Sequence, residues 1–166
     1  SAYLFDVPDG QYRVDLKFAD VYTLSCPGGR VFDVLINGST VITGLDLLDR
    51  PGRYTAYDVS FTTEITTGQL SIAFSSTAGT PLISALRVES FRRGPTPTAS
   101  STPTPSLTPT ITRTPTPTNT PIPPYDMRVN AGGALWHDPN GDIWEADRPY
   151  VSGSWGFSGG QVYETA

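Results

Sequence analysis

Residues 94–124, GPTPTASSTPTPSLTPTITRTPTPTNTPIPP, alternate proline with threonine so regularly that they can join neither a helix nor a sheet. Proline fixes φ and lacks an amide donor, so such a tract settles into extended polyproline geometry with its backbone solvated. It divides the chain into one block at 1–93 and a shorter one at 125–166. At ~3.1 Å per residue a fully extended tract would hold its flanks up to ~95 Å apart. Thr/Pro-rich stalks are typical of O-glycosylated extracellular spacers, and the bland alternative is an ordinary disordered cytosolic tail. The tract points to a modular, exported protein, extracellular or at the cell surface.

Of the two blocks, only the first has enough chain for a modest core. The net charge is −5, the charges are interspersed, and Lys17 is the only lysine, which argues against nucleic acid or an anionic membrane as partner. No run approaches the ~18 apolar residues of a membrane span, so no membrane insertion is expected. The opening SAYLFDVPDGQY lacks the basic start and apolar stretch of a signal peptide, so any export signal lies upstream. Cys26 is the sole cysteine and can form neither a disulfide nor a cysteine zinc site within the chain. Nothing calls for a cofactor or a metal.

The first block reads as strands. Tyr12, Val14, Leu16 and Phe18 alternate with Arg13, Asp15 and Lys17, the period-2 pattern of a half-buried strand. Residues 31–36 lead to Asn37-Gly38, the pair that best tolerates the positive φ of a tight hairpin turn, before Thr40, Val41 and Ile42. Tyr57, Val59 and Phe61 alternate again, as do Leu70, Ile72 and Phe74, and residues 82–91 make a final strand. No stretch offers helical spacing. Short strands punctuated by Gly, Pro and Asn indicate an all-β fold, an antiparallel β-sandwich or jelly roll, with the Pro/Thr-rich linker disordered. The last block offers one strand at 127–130, the apolar pairs Leu135-Trp136 and Ile143-Trp144 around a turn cluster, and a Gly/Ser/aromatic run at 153–160.

Two sets of phrases carry a family likeness. KFADVY (17–22), RVFDVLING (30–38), LDLL (45–48) and PLISALRV (81–88) resemble the latter half of a malectin domain, a carbohydrate-binding β-sandwich of the galactose-binding-like kind. VNAGG (129–133), DPNGDIWEAD (138–147) and SGGQVY (158–163) resemble the opening of that domain. The order is thus an ending, a linker and a beginning. The resemblance implies a window on tandem modules, with 1–93 the C-terminal part of one and 125–166 the N-terminal part of the next. A circular permutation is the alternative, but it needs the middle of the module, which neither block contains. On either account, strand 82–91 lacks a neighbour that strand 127–131 is suited to replace, so docking of the tail on 1–93, or exchange between copies, is expected.

The resemblance places a ligand-contacting aromatic at Tyr22, whose bland reading is a tyrosine packed at a strand end. The next position, aromatic in the animal lectin, is Thr23, and Tyr163 loosely matches another ligand tyrosine. Gly79-Thr80 stand where the family has an acidic contact, which counts against a diglucosylated glycan specifically. Flat aromatic faces for the C–H side of a pyranose and a few fixed polar groups are what sugar recognition needs.

The remaining candidates favour plain structural readings. Trp136, Trp144 and Trp155 could be stacking platforms, with core packing the preferred role. Asp138, Asn140 and Asp142 have calcium-loop spacing, yet Ile143 stands where the glycine should be, which favours a turn. Glu145 and Asp147 could be proposed as a glycosidase acid/base pair, with nothing else in support. His137 has no partner to mark a triad or metal site, and Asn37-Gly38-Ser39 fits a glycosylation pattern that the hairpin explains better. The expectation is a non-catalytic carbohydrate-binding module of a secreted multi-module protein, tethering it, and any attached catalytic domain, to a glucan- or galactan-type glycan. A structural or adhesive spacer without sugar binding is the alternative.

Overall fold

The computed structural model describes residues 1–22, 26–91 and 124–160, so the tract at 92–123 and the positions Thr23 and Tyr163 lie outside the described residues. Every regular element among them is a strand: β1 (Ala2–Asp6), β2 (Gly10–Phe18), β3 (Val31–Ile36), β4 (Ser39–Leu45), β5 (Tyr57–Ile65), β6 (Gln69–Ala78), β7 (Ala85–Ser90), β8 (Asp126–Asn130), β9 (Trp136–His137), β10 (Ile143–Ala146) and β11 (Trp155–Ser158). They form two sheets, ordered β11-β1-β6-β3-β4 and β5-β2-β7-β8-β10-β9. Pairing is antiparallel throughout except that β10 runs parallel to β8. Among the described residues no helix is long and apolar enough to cross a membrane.

Period-2 alternation decides which face each strand buries. Tyr12, Val14, Leu16 and Phe18 of β2 are at most 1 % exposed, while Arg13, Asp15 and Lys17 point to the outer face. There they meet Ser60 and Asp58 of β5, with Arg13–Asp15 at 2.7 Å and Lys17–Asp58 at 2.6 Å. Arg87, Asp126, Arg128 and Asp142 continue these ion pairs across β7 and β8. The β3–β4 hairpin turns on Asn37 (φ 48°) and Gly38 (φ 77°), the two successive positive φ values that favour Asn-Gly in tight hairpins. The Asn37 side chain also accepts the Ser71 N–H at 2.9 Å, tying the turn to β6.

Block 124–160 adds strands to both sheets. β8 adds to β7 with Ala85 opposite Asn130 and Glu89 opposite Asp126. β11 adds to β1, with Phe5 opposite Trp155. Val129 and Trp155 enter the same buried cluster as Phe5, Leu16, Phe32 and Leu70, so the two blocks share one core. The Trp155 indole stacks on Phe5 (ring centroids 6.0 Å, planes 13° apart), with the Arg148 guanidinium 4.4 Å above it. At the far end of β1, Asp6 accepts hydrogen bonds from Gln69, the Tyr150 hydroxyl and the Gly153 N–H, and these hold its carboxyl below the usual range. Ser90 and Tyr125, on either side of the Pro/Thr tract, meet: the Ser90 N–H donates to the Tyr125 carbonyl and the Tyr125 N–H to the Ser90 hydroxyl, both at 2.8 Å. Tyr125 packs edge-on against Tyr12, and burial pushes its hydroxyl up to about 12.

Candidate functional site

Strand registers bring one set of loops to a common end. Phe18, the last residue of β2, pairs with Tyr57, the first of β5. Lys17 pairs with Ala85 at the start of β7, and Ala85 with Asn130 at the end of β8. Ala2 of β1 pairs with Ser158 at the end of β11, and Val31 of β3 with Ala78 of β6. Segments 19–22, 26–30, 46–56, 79–84, 131–135 and 159–160 therefore crowd the same rim.

Asp20 organises one side of that rim. It is 1 % exposed; its carboxylate accepts the Tyr22 N–H at 3.0 Å and the Arg30 guanidinium at 2.8 Å, and its carbonyl accepts the Tyr54 N–H at 3.0 Å. The two tyrosines so held stand out from the surface, Tyr22 57 % and Tyr54 61 % exposed. Tyr22 is therefore not packed at its strand end. Asp46 makes the second brace. Its oxygens accept the N–H groups of Gly28, Leu48 and Asp49; burial raises its carboxyl, and those three donors outweigh burial and leave it below the usual range. A third brace is backbone against backbone: Gly79 has φ 61°, and a Cβ there would run into the Gly29 carbonyl oxygen.

Where the blocks meet at this rim there is a cleft of about 130 Å³, lined by Tyr3, Phe74, Thr80, Leu82, Ala131 and Asp147. Both Asp147 oxygens accept the Tyr3 hydroxyl (2.8 and 2.9 Å), and one accepts the Gly132 N–H at 2.6 Å. Burial raises the Asp147 carboxyl despite these donors, and burial together with the neighbouring Asp147 charge raises the Tyr3 hydroxyl. The cleft is well below the ~300–1,000 Å³ of pockets that enclose a ligand, so this end offers an open platform. A larger groove of about 360 Å³ lies on the outer face of the second sheet, lined by Lys17, Ala85, Asn130, Trp136, Asp138 and Trp144.

The three tryptophans separate. Trp155 is core, Trp144 is 9 % exposed but lies outside the core cluster, and Trp136 is half exposed, which corrects the core reading for that residue. Asp138 caps a turn: its carboxylate accepts the N–H groups of Asn140 and Asp142 and the Trp144 indole N–H. Among the described residues no group of three or more His, Cys, Asp or Glu side chains is placed to hold a metal. Asp147 is bonded to Tyr3 and Gly132, which leaves the Glu145/Asp147 acid/base idea without geometric support. Sequence reasoning missed Asp20, Tyr54 and Tyr3. The available signal for Tyr54 was its place directly after the Pro51-Gly52-Arg53 turn and ahead of β5.

A family model described as "Malectin domain" matches residues 1–89. Malectin-B of Xenopus laevis is 41 % identical over 71 residues, covering 41 % of this chain and 25 % of that protein. Malectin of Homo sapiens is 41 % identical over 71 residues and 24 % of its own length. Receptor-like protein 4 of Arabidopsis thaliana is 36 % identical over 80 residues, 46 % of this chain and 13 % of the relative. The chain thus spans a quarter or less of these relatives' length. Among solved structures, a Bacteroides uniformis β-glucuronidase matches with a TM-score of 0.51 and 26 % identity over 54 % of this chain and 10 % of the enzyme.

Proposed function

The chain belongs to the malectin domain family, and from that premise we propose that it is a non-catalytic carbohydrate-binding module for neutral, glucan- or galactan-type glycan. The observation that carries the reading is Tyr22. It occupies the position to which the resemblance assigns a sugar contact, and it is held out from the rim by the buried Asp20 carboxylate. An exposed phenol on an anchored backbone suits stacking of a pyranose C–H face, because less chain has to be ordered on binding. Thr23 and Tyr163 belong to the proposal as its further contacts.

An open platform beside a small cleft suits binding better than turnover, since hydrolysis needs a carboxylate pair around an enclosed bond. The match to a tenth of a β-glucuronidase is what an accessory sandwich in a larger hydrolase would give, and it supports a role beside a catalytic part. Setting is also proposed: an extracellular or surface protein in which 1–93 closes one module and 125–166 opens the next. The Thr/Pro tract and the likeness to a receptor-like protein support it. Weak contacts repeated along such a chain gain avidity through effective concentration.

Affinity electrophoresis through gels containing starch, mixed-linkage β-glucan or galactan tests the reading. Wild-type protein is expected to be retarded in at least one gel and Tyr22→Ala to lose about tenfold in affinity at unchanged stability. No retardation in any gel leaves the spacer as the better account.

A further inference from the structure

Tyr54 has a left-handed backbone, φ 58°, in a segment where glycine or asparagine adopts that conformation with less strain. A large aromatic residue at such a position calls for an explanation, and core packing does not provide one, because the side chain is 61 % exposed. Its N–H is bonded to Asp20, the residue whose carboxylate also fixes the Tyr22 N–H. Val21, between Asp20 and Tyr22 in the chain, is also exposed, at 56 %.

We propose that Tyr54 is a second sugar-contacting aromatic, and that Tyr22 and Tyr54 together form a platform for consecutive pyranoses of a neutral glycan chain. The inference rests on the carbohydrate-binding reading and extends it. Asp20 is the positioning residue: its carboxylate anchors the Tyr22 N–H and its backbone carbonyl the Tyr54 N–H, so one buried residue ties together the backbone that carries both rings. Neutral sugars suit it, because the recognising surface is aromatic C–H contact and the nearest charge of the brace, Arg30, is already paired with Asp20 at 2.8 Å.

The test compares wild type, Tyr22→Ala, Tyr54→Gly and Tyr54→Phe in the same starch, β-glucan and galactan gels, with thermal melting of each protein. Tyr54→Gly is expected to lose about tenfold in affinity for the polysaccharide that retards wild type, with a melting temperature equal to or above wild type, because glycine relieves the backbone strain. Tyr54→Phe keeps the ring and stays within about twofold of wild type. A merely structural tyrosine would show the reverse, a lowered melting temperature with binding intact. Equal retardation of Tyr54→Gly and wild type, with Tyr22→Ala impaired, overturns the role of Tyr54 and leaves the lectin reading standing. Failure of wild type in every gel removes both.

Discussion

Replacing Trp155 with alanine asks whether block 124–160 is part of the core or an accessory resting on it. A tryptophan side chain buries about 150–250 Å², which at ~25 cal/mol per Å² corresponds to ~4–6 kcal/mol as an upper bound. Measured Trp-to-Ala losses in cores run ~3–5 kcal/mol. Trp155 is 4 % exposed, and its removal also takes away the Phe5 stack and the Arg148 contact, so the upper part of that range is expected. Domains of this kind have only ~5–15 kcal/mol in total, so the variant should melt about 10–20 °C lower. Urea unfolding followed by far-UV circular dichroism avoids the lost tryptophan signal and should show one transition with the midpoint moved and the slope m retained. Trp136→Ala is the control: half exposed and outside the core, it should cost under ~1 kcal/mol. A Trp155→Ala loss as small as that of Trp136→Ala would refute the shared core.

Two more substitutions probe the rim. Burial raises the Asp147 carboxyl, so its contribution to stability is present below the unfolded pKa and fades as pH rises through the folded one. Asp147→Asn cannot ionise, and the stability difference between variant and wild type should therefore shift in favour of the variant from about pH 3 to pH 7. Taking the difference cancels the opposite trends of Asp6, Asp46 and Asp138, and a flat difference would count against the burial account. Gly79→Ala meets both a left-handed φ and the Gly29 carbonyl, and chemical denaturation should register a loss of about 1–3 kcal/mol.

What was legible in the sequence was what local chemistry determines. The alternation of β2 and the Asn37-Gly38 turn read directly, because a period-2 pattern and a two-residue hairpin need only their neighbours. β1 and β11 did not. Each is a short run beside Pro, Gly or Ser, and they pair with each other across 150 or more positions of chain, a relation that leaves no local pattern. The tryptophans show the same limit: Trp136 and Trp155 look alike in sequence and differ in whether a partner such as Phe5 lies opposite. Tyr22 was visible through its motif. Tyr54 was not, since its exposure depends on a hydrogen bond to a residue 34 positions earlier and on a backbone angle.

Two pairs of residues far apart in the chain meet in space. At one end of the sandwich Ser90 and Tyr125 exchange hydrogen bonds. At the other, Gly160 lies so near the first residue that a Cβ on it would stand 3.0 Å from the Ser1 Cβ. Joining Gly160 to Ser1 by a short bridge is expected to leave the β1–β11 pairing intact, because the two residues already lie side by side. The sandwich is thus held by which strands lie side by side, β1 with β11 and β7 with β8, whatever length of chain separates them.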